Sequence, residues 1–563
     1  MKFITPGTRI RMTFAWLVAL FVAPSWNVFG ENPTGQAEGT DAKVDAVFLA
    51  QTHVMQPEQP YFKLVGQRAA LLKAHLISAS GVAAPEVTAL VINGSETNTL
   101  SLKGPAMLPK SLPSAPGAVQ HRYEDSFTAM IPARLVRPGM KVEVRAGSSV
   151  WRRDLKVGAP TVVRMKMFDV HYFGRGTNDY PPGFLKELEA KWPVAELEIE
   201  RVRGINFPEL VIPARGNLPA VRVTKPEDYQ RKTGAKFDGE QAAALQWVWG
   251  LSRAGGNRDV AMCYVNILGV NAGGQAGGFN GVGTIRLGIM NHELGHALGL
   301  PHIGETKDYP YRGEMFGIMP PKVFNEVHVG PTWAFDLPSG TFIPPTVQQT
   351  KGKGIAGTFK ADPMQGGGDG DQEAPFKLRH FSDYNVHRMQ SFLERRVAVL
   401  RDGNYFKWDD ATGDYTKKVE NDGVTYPVAQ EVPVISVMAA MTLADADVNM
   451  VYPPIGPYRG NLIRTFDPRS AADRAAARKV YAPKGGCDFT LKINQGGGER
   501  FYLLPASAAE DGDSQKLRSL TTAAVNLCAA DGAVTGVELL HTPKADQIGL
   551  PEKSQVLARW PKQ

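Results

Sequence analysis

The sequence predicts an α+β protein in which a central domain of mixed helices and strands is flanked by an N-terminal β-sandwich and a C-terminal β-rich region. Three observations predict it. Short strand-like runs separated by turns fill residues 45–158, among them Val87–Ile92 and the strictly alternating Lys141–Arg145. Helical patterns then alternate with apolar strand candidates through residues 159–400. Beyond residue 401 strand and turn patterns return, with one short helix around Ala471–Val480.

Taken in order, the N-terminus has the pattern of an export signal. Lys2, Arg9 and Arg11 precede the apolar stretch Met12–Ala23, which is too short to span a bilayer, and cleavage after Gly30 is expected. Loss of residues 1–30 takes the formal charge from +7 to +4. That is a mild charge without a dense Lys/Arg cluster, which argues against a nucleic-acid partner. No later apolar run is long enough for a transmembrane segment. Residues 31–44 read as a flexible, polar lead-in. In the central domain, Phe184–Trp192 and Gly239–Leu251 read as helices and Ala261–Leu268 as a buried strand. The glycine-rich stretch Gly273–Gly283 lacks the Gly-Lys-Ser/Thr ending of a phosphate loop and leads instead into a strand around Thr284. Ser382 is placed to cap a last helix, Asp383–Leu400.

The chemistry concentrates in residues 292–302, His-Glu-Leu-Gly-His-Ala-Leu-Gly-Leu-Pro-His. His292 and His296 are four apart and share one helix face, where two imidazoles can ligate one Zn2+ ion. Glu293 lies beside them, as a general base for zinc-activated water requires. Gly299 permits the left-handed turn that ends the helix, and the reversal delivers His302 as third ligand with the fourth position open to water. The other histidines of the domain, His171, His328, His380 and His387, read as surface or hydrogen-bonded residues because three ligands are already supplied. Tyr309 and Tyr311 are candidates to support an oxyanion on sequence proximity alone. Asp369/Asp371 and Asp445/Asp447 lack an EF-hand pattern and read as solvated loops. The strand around Thr284–Ile289 is a candidate to pair with extended substrate. In an exported protein, Cys487 and Cys528 are expected to form a disulfide, with Cys263 a buried free thiol.

Beyond the zinc motif, several segments resemble the StcE/TagA/dictomallein-type secreted zinc metallopeptidases of the metzincin superfamily. Ala50-Gln-Thr-His-Val-Met, Leu64-Val-Gly-Gln-Arg-Ala-Ala-Leu-Leu-Lys and Ile131-Pro-Ala-Arg-Leu-Val-Arg-Pro-Gly are similar to that family's N-terminal β module. Phe207-Pro-Glu-Leu-Val-Ile-Pro and Thr233-Gly-Ala-Lys-Phe-Asp-Gly-Glu-Gln-Ala-Ala are similar to its protease domain, and Tyr452-Pro-Pro-Ile-Gly-Pro-Tyr to the segment after it. The resemblance implies a metzincin-like catalytic domain over 159–400, between a β-sandwich module (45–158) and a β-rich domain (401–563). It implies a zinc endopeptidase acting on proteins, including mucin-type O-glycoproteins. It also implies a methionine turn beneath the zinc site. Met364, in Asp362-Pro-Met364-Gln-Gly-Gly-Gly and 62 residues beyond His302, matches the family's Asp-x-Met-x-Gly-Gly better than does Met319 in Gly317-Ile-Met-Pro320. The rival reading is a glycoprotein-binding or adhesive surface protein that uses the protease fold as scaffold. Retention of Glu293 beside all three histidines speaks against it.

Overall fold

The computed structural model describes residues 41–112, 120–176, 178–256, 259–270, 272–322, 324–350, 354–365, 376–481, 486–506 and 520–562. The expected export signal, most of the lead-in and the Asp369/Asp371 loop lie outside the described residues. The described chain is rich in strand, with seven α-helices, none long and apolar enough to cross a membrane.

The first strand, Lys43–Ala50, starts inside the expected lead-in. It belongs to a four-stranded antiparallel sheet with Val54–Met55, Ala70–Ile77 and Phe127–Ile131. A second antiparallel sheet holds Glu96–Ser101, Val87–Asn93, Lys141–Ala146 and Ser149–Asp154. Val87, Ala89 and Val91 are buried in alternation, as a strand with one face on a core requires. They share that core with Leu49, Leu72 and Val142 from both sheets.

The central sheet runs in the order Glu196–Phe207, Val162–Tyr172, Met262–Ile267, Asn280–Thr284, Gly274–Gly277. The first four strands are mutually parallel, and the last, at the edge, is antiparallel. Parallel strands are covered on both faces, which explains why every residue of Met262–Ile267 is buried. Side chains alternate between the two sides. Met165, Met167, Met262 and Tyr264 face a layer containing helix α1 (Phe184–Lys191). Phe168, Val170, Val265 and Ile267 face the opposite layer, against Trp247, Val248 and Leu251 of helix α3 (Glu240–Ala254), which follows α2 (Pro226–Thr233). Two further helices lie on the α1 side: α4 (Leu287–Ala297), which carries the histidine motif, and α5 (Asp383–Arg396).

Helix α5 ends earlier than its periodicity predicts. Val397 is extended, and Ala398–Arg401 becomes a strand paired with Asn404–Asp409. The expected boundary at residue 400 therefore falls within a strand. The long strand Ala429–Met441 pairs with Ile455–Leu462 and Thr521–Cys528. It sends Val434, Met438 and Ala440 into the α3 core and Val437, Ala439 and Met441 into a separate C-terminal core. The C-terminal sheet is thus packed on the central domain by shared apolar burial, and Thr40–Gln563 is one compact unit.

The expected disulfide is absent: Cys263, Cys487 and Cys528 are all free. The reason is strand length. Cys487 lies just before the strand Phe489–Gln495, buried beside Phe466, Ala477 and Leu503. Cys528 lies near that strand's far end, where its carbonyl accepts from Gln495 Nε2 at 2.8 Å. Seven extended residues separate the two by roughly 20 Å, far beyond the reach of about 7 Å between bridged Cα atoms. Free-thiol titration of the denatured, unreduced protein is therefore expected to find three thiols; a count of one would contradict this arrangement.

Candidate metal centre

Helix α4 has no side-chain cap at Arg286 and ends at Leu298, after which Gly299 takes φ +84°. A β-carbon there would be strained and would also sit 2.6 Å from the Phe392 ring of α5. The turn brings Leu300 N–H back to the Gly295 carbonyl (3.0 Å) and sends the chain on to His302.

The three imidazoles converge. The Nε2 atoms of His292 and His296 are 3.1 Å apart, and each lies 3.2 Å from Nε2 of His302. Among the described residues this is the one group of three or more His, Cys, Asp or Glu side chains whose ligand atoms meet. The hydrogen bonds on the far side of the rings say what the meeting atoms are. His292 Nδ1 donates to the Pro363 carbonyl at 2.8 Å and His296 Nδ1 to the Leu300 carbonyl at 2.7 Å. With those protons on Nδ1, the neutral rings turn bare Nε2 lone pairs toward one another. Burial lowers the pKa of both rings and favours that neutral form. Lone pairs in contact repel unless a cation lies between them. Nitrogens bonded at about 2.0–2.1 Å to one tetrahedral ion sit roughly 3.3 Å apart. The observed separations fit such an ion, and the two carbonyls orient the His292 and His296 rings.

The Pro363 carbonyl belongs to a short helical turn, Pro363–Gln365. Met364 in this turn is 0% exposed and packs under α4, where a β-carbon on Gly295 would collide with its sulfur. Met319, the other candidate, is 59% exposed. Asp362 holds the turn in place. Its buried carboxylate accepts from Met364 N (2.8 Å), Ser382 N (2.7 Å) and Asn385 Nδ2 (3.0 Å), joining the turn to the N-terminus of α5. Ser382 caps that helix as the sequence predicts, accepting from Asn385 N. The role of Asp362 is not apparent from sequence, although it opens the motif that pointed to Met364.

Glu293 is buried, and burial pushes its carboxyl up to about 7. Its side chain occupies the space above Gly274 in the edge strand, where a β-carbon would run into Cγ and lie 2.8 Å from Cδ. Because that β-carbon would also lie 2.7 Å from the Val282 carbonyl, Gly274→Ala is expected to shift the edge strand and displace the carboxylate. A fall of about 10-fold or more in turnover, with metal content unchanged, would register it in steady-state kinetics.

Other expectations change. Tyr309 and Tyr311 are not available to an oxyanion: both are buried, the first donating to the His328 carbonyl (2.5 Å) and the second to Asp383 (2.6 Å). Asn280–Gly283 is hydrogen-bonded to strands on both sides, Thr284 is paired only with Ile267, and residues from Leu287 onward are helix, so the expected substrate-pairing strand Thr284–Ile289 does not form as a strand. On this side the sheet ends in the edge strand Gly274–Gly277, and Glu196–Phe207 forms its other edge. His328 is a packing residue stacked on Phe359, with Gly313 O and Gly330 N on its two nitrogens. Asp445 caps its own turn, accepting from Asp447 N.

Comparison with known proteins agrees with this geometry. The Peptidase M66 family description matches residues 119–398, which include the three histidines, Glu293 and Met364. Dictomallein of Burkholderia mallei (strain SAVP1) is 30% identical over 532 residues, covering 82% of this chain and 74% of its own. Dictomallein of Burkholderia pseudomallei (strain 668) is 29% identical, covering 91% and 83%. Dictomallein-2 of Dictyostelium discoideum is 27% identical, covering 92% and 95%. A peptidase-family match containing the whole histidine cluster, together with likeness over most of the chain, means that this protein belongs to the dictomallein-type metallopeptidase family, Peptidase M66.

Proposed function

We propose that the chain is an exported zinc endopeptidase in which His292, His296 and His302 hold one catalytic ion and Glu293 is the general base. The observation that carries this reading is the convergence of three histidine Nε2 atoms within 3.2 Å, with a buried glutamate next in sequence to the first of them. A bound zinc ion supplies Lewis acidity and lowers the pKa of its water toward neutrality. Glu293 takes the proton of the attacking water and returns it to the leaving amine. The open edge Gly274–Gly277 offers backbone N–H and C=O groups to an extended substrate, which recognises polypeptide without demanding sequence. Met364 underlies the ligands as the methionine turn, and Gly299 shapes the turn to His302. Mucin-type O-glycoproteins are the substrate class that the family resemblance adds.

The test combines metal analysis with substrate mapping. Purified protein should carry one zinc per chain and cut casein or a mucin-type glycoprotein, with fragments assigned by mass spectrometry before and after enzymatic deglycosylation. Stoichiometric zinc without cleavage of any protein would overturn the endopeptidase reading. Equal cleavage of glycosylated and deglycosylated substrate would remove the glycan requirement alone.

A further inference from the structure

Three glycines make a floor beneath Glu293. Gly281 and Gly283 lie on the strand Asn280–Thr284, and Gly274 is paired directly across from Gly283 on the edge strand. Directly opposed residues of an antiparallel pair direct their β-carbons to the same face, about 5 Å apart. The three missing side chains therefore open one continuous space. The side chains of Tyr264, Ile289 and Glu293 fill it, with Ile289 Cγ2 3.0 Å from where a Gly283 β-carbon would be. The Tyr264 ring, on the neighbouring strand, lies over Gly281, whose β-carbon would be 2.9 Å from Cδ2. Its hydroxyl reaches Gly283, whose β-carbon would be 2.5 Å from the oxygen. Glu293 covers Gly274. The Tyr264 hydroxyl and the Glu293 side chain are thus neighbours on one glycine floor.

Tyr264 is fully buried, and its hydroxyl has no hydrogen-bond partner among the described residues. An unpaired buried hydroxyl is destabilising, and phenylalanine would fill the same volume without that cost. The nearby Tyr180 hydroxyl is committed to Asn266 Oδ1 at 2.8 Å. The geometry points to Tyr264 as a positioning residue: a small rotation of the Glu293 side chain, already on the glycine floor, brings its carboxylate onto the Tyr264 hydroxyl, which donates to it and so holds the base in its working orientation. This inference rests on the reading of Glu293 as general base.

Tyr264→Phe tests it, alone and combined with Glu293→Asp, which withdraws the carboxylate from the floor. Expected for Tyr264→Phe is a fall of about 10-fold in kcat at unchanged KM and zinc content, with no loss of thermal stability. In the Glu293→Asp background the same change should cost little further. An unaltered kcat, an equal loss in both backgrounds, or loss of zinc would each overturn the positioning role. Full turnover in Tyr264→Phe beside an inactive Glu293→Gln would overturn it alone. Full turnover in Glu293→Gln would remove the base and its positioning residue together.

Discussion

Glu293→Gln is expected to keep zinc and fold while losing hydrolysis by at least about 10²-fold. The amide matches the carboxylate in shape, so it fits the space above Gly274 that Glu293 occupies. It contributes no metal-ligand change, because the imidazoles are oriented independently by the Pro363 and Leu300 carbonyls. It cannot accept the water proton, and that is the step lost. Stability should not fall, since a neutral amide is less costly to bury than a carboxylate whose titration burial already pushes up to about 7. The measurement is turnover of an unstructured protein substrate alongside zinc content and thermal melting. Near wild-type turnover with full zinc occupancy would place the base elsewhere.

His302→Ala should strip the metal. Losing only an outer partner of a ligating histidine costs about 10–100-fold in metal affinity, and losing the ligand itself should cost more than about 100-fold. His302 is the least sheltered of the three, with its side chain 47% exposed, so the substitution leaves no buried cavity and little loss of fold is expected. His328→Ala is the informative control. It removes a ring stacked on Phe359 and two hydrogen bonds, so it should lower stability and leave zinc bound. Zinc retained after dialysis against a mild chelator separates the two. Should His302→Ala hold zinc as firmly as the unaltered protein, the third ligand is another residue and the proposed centre is wrong.

Legibility from sequence followed the range of the interactions. The histidine cluster was readable because its geometry is local. Two residues four apart share a helix face, and one glycine in the left-handed region reverses the chain within eleven residues. The helices α1, α3 and α5 and the buried strand Met262–Ile267 were readable for the same reason, since each advertises its own apolar period. The C-terminus of α5 was not. Its apolar spacing continues to Val397, but pairing of Ala398 with Lys407 takes the backbone over.

What the sequence by itself determined, then, is the local chemistry: two imidazoles and a carboxylate on a helix, a third imidazole past a turn that only glycine takes easily, and the Ser382-capped helix α5. Tertiary structure decided everything that depends on which strand ends beside which. It put Gly274–Gly277, rather than the strand around Thr284, at the edge of the sheet beside the site, because sheet order does not follow chain order. It drew the Pro363 carbonyl onto His292 across 71 residues and committed Tyr309 and Tyr311 to buried partners. It also set Tyr264 beside Glu293 over paired glycines. It held Cys487 and Cys528 at opposite ends of a strand, where no count of intervening residues would have put them. The physical reason is common to all of these. Dihedral preferences and side-chain periodicity act over a few residues, whereas burial and hydrogen-bond pairing are satisfied only by the whole packed chain.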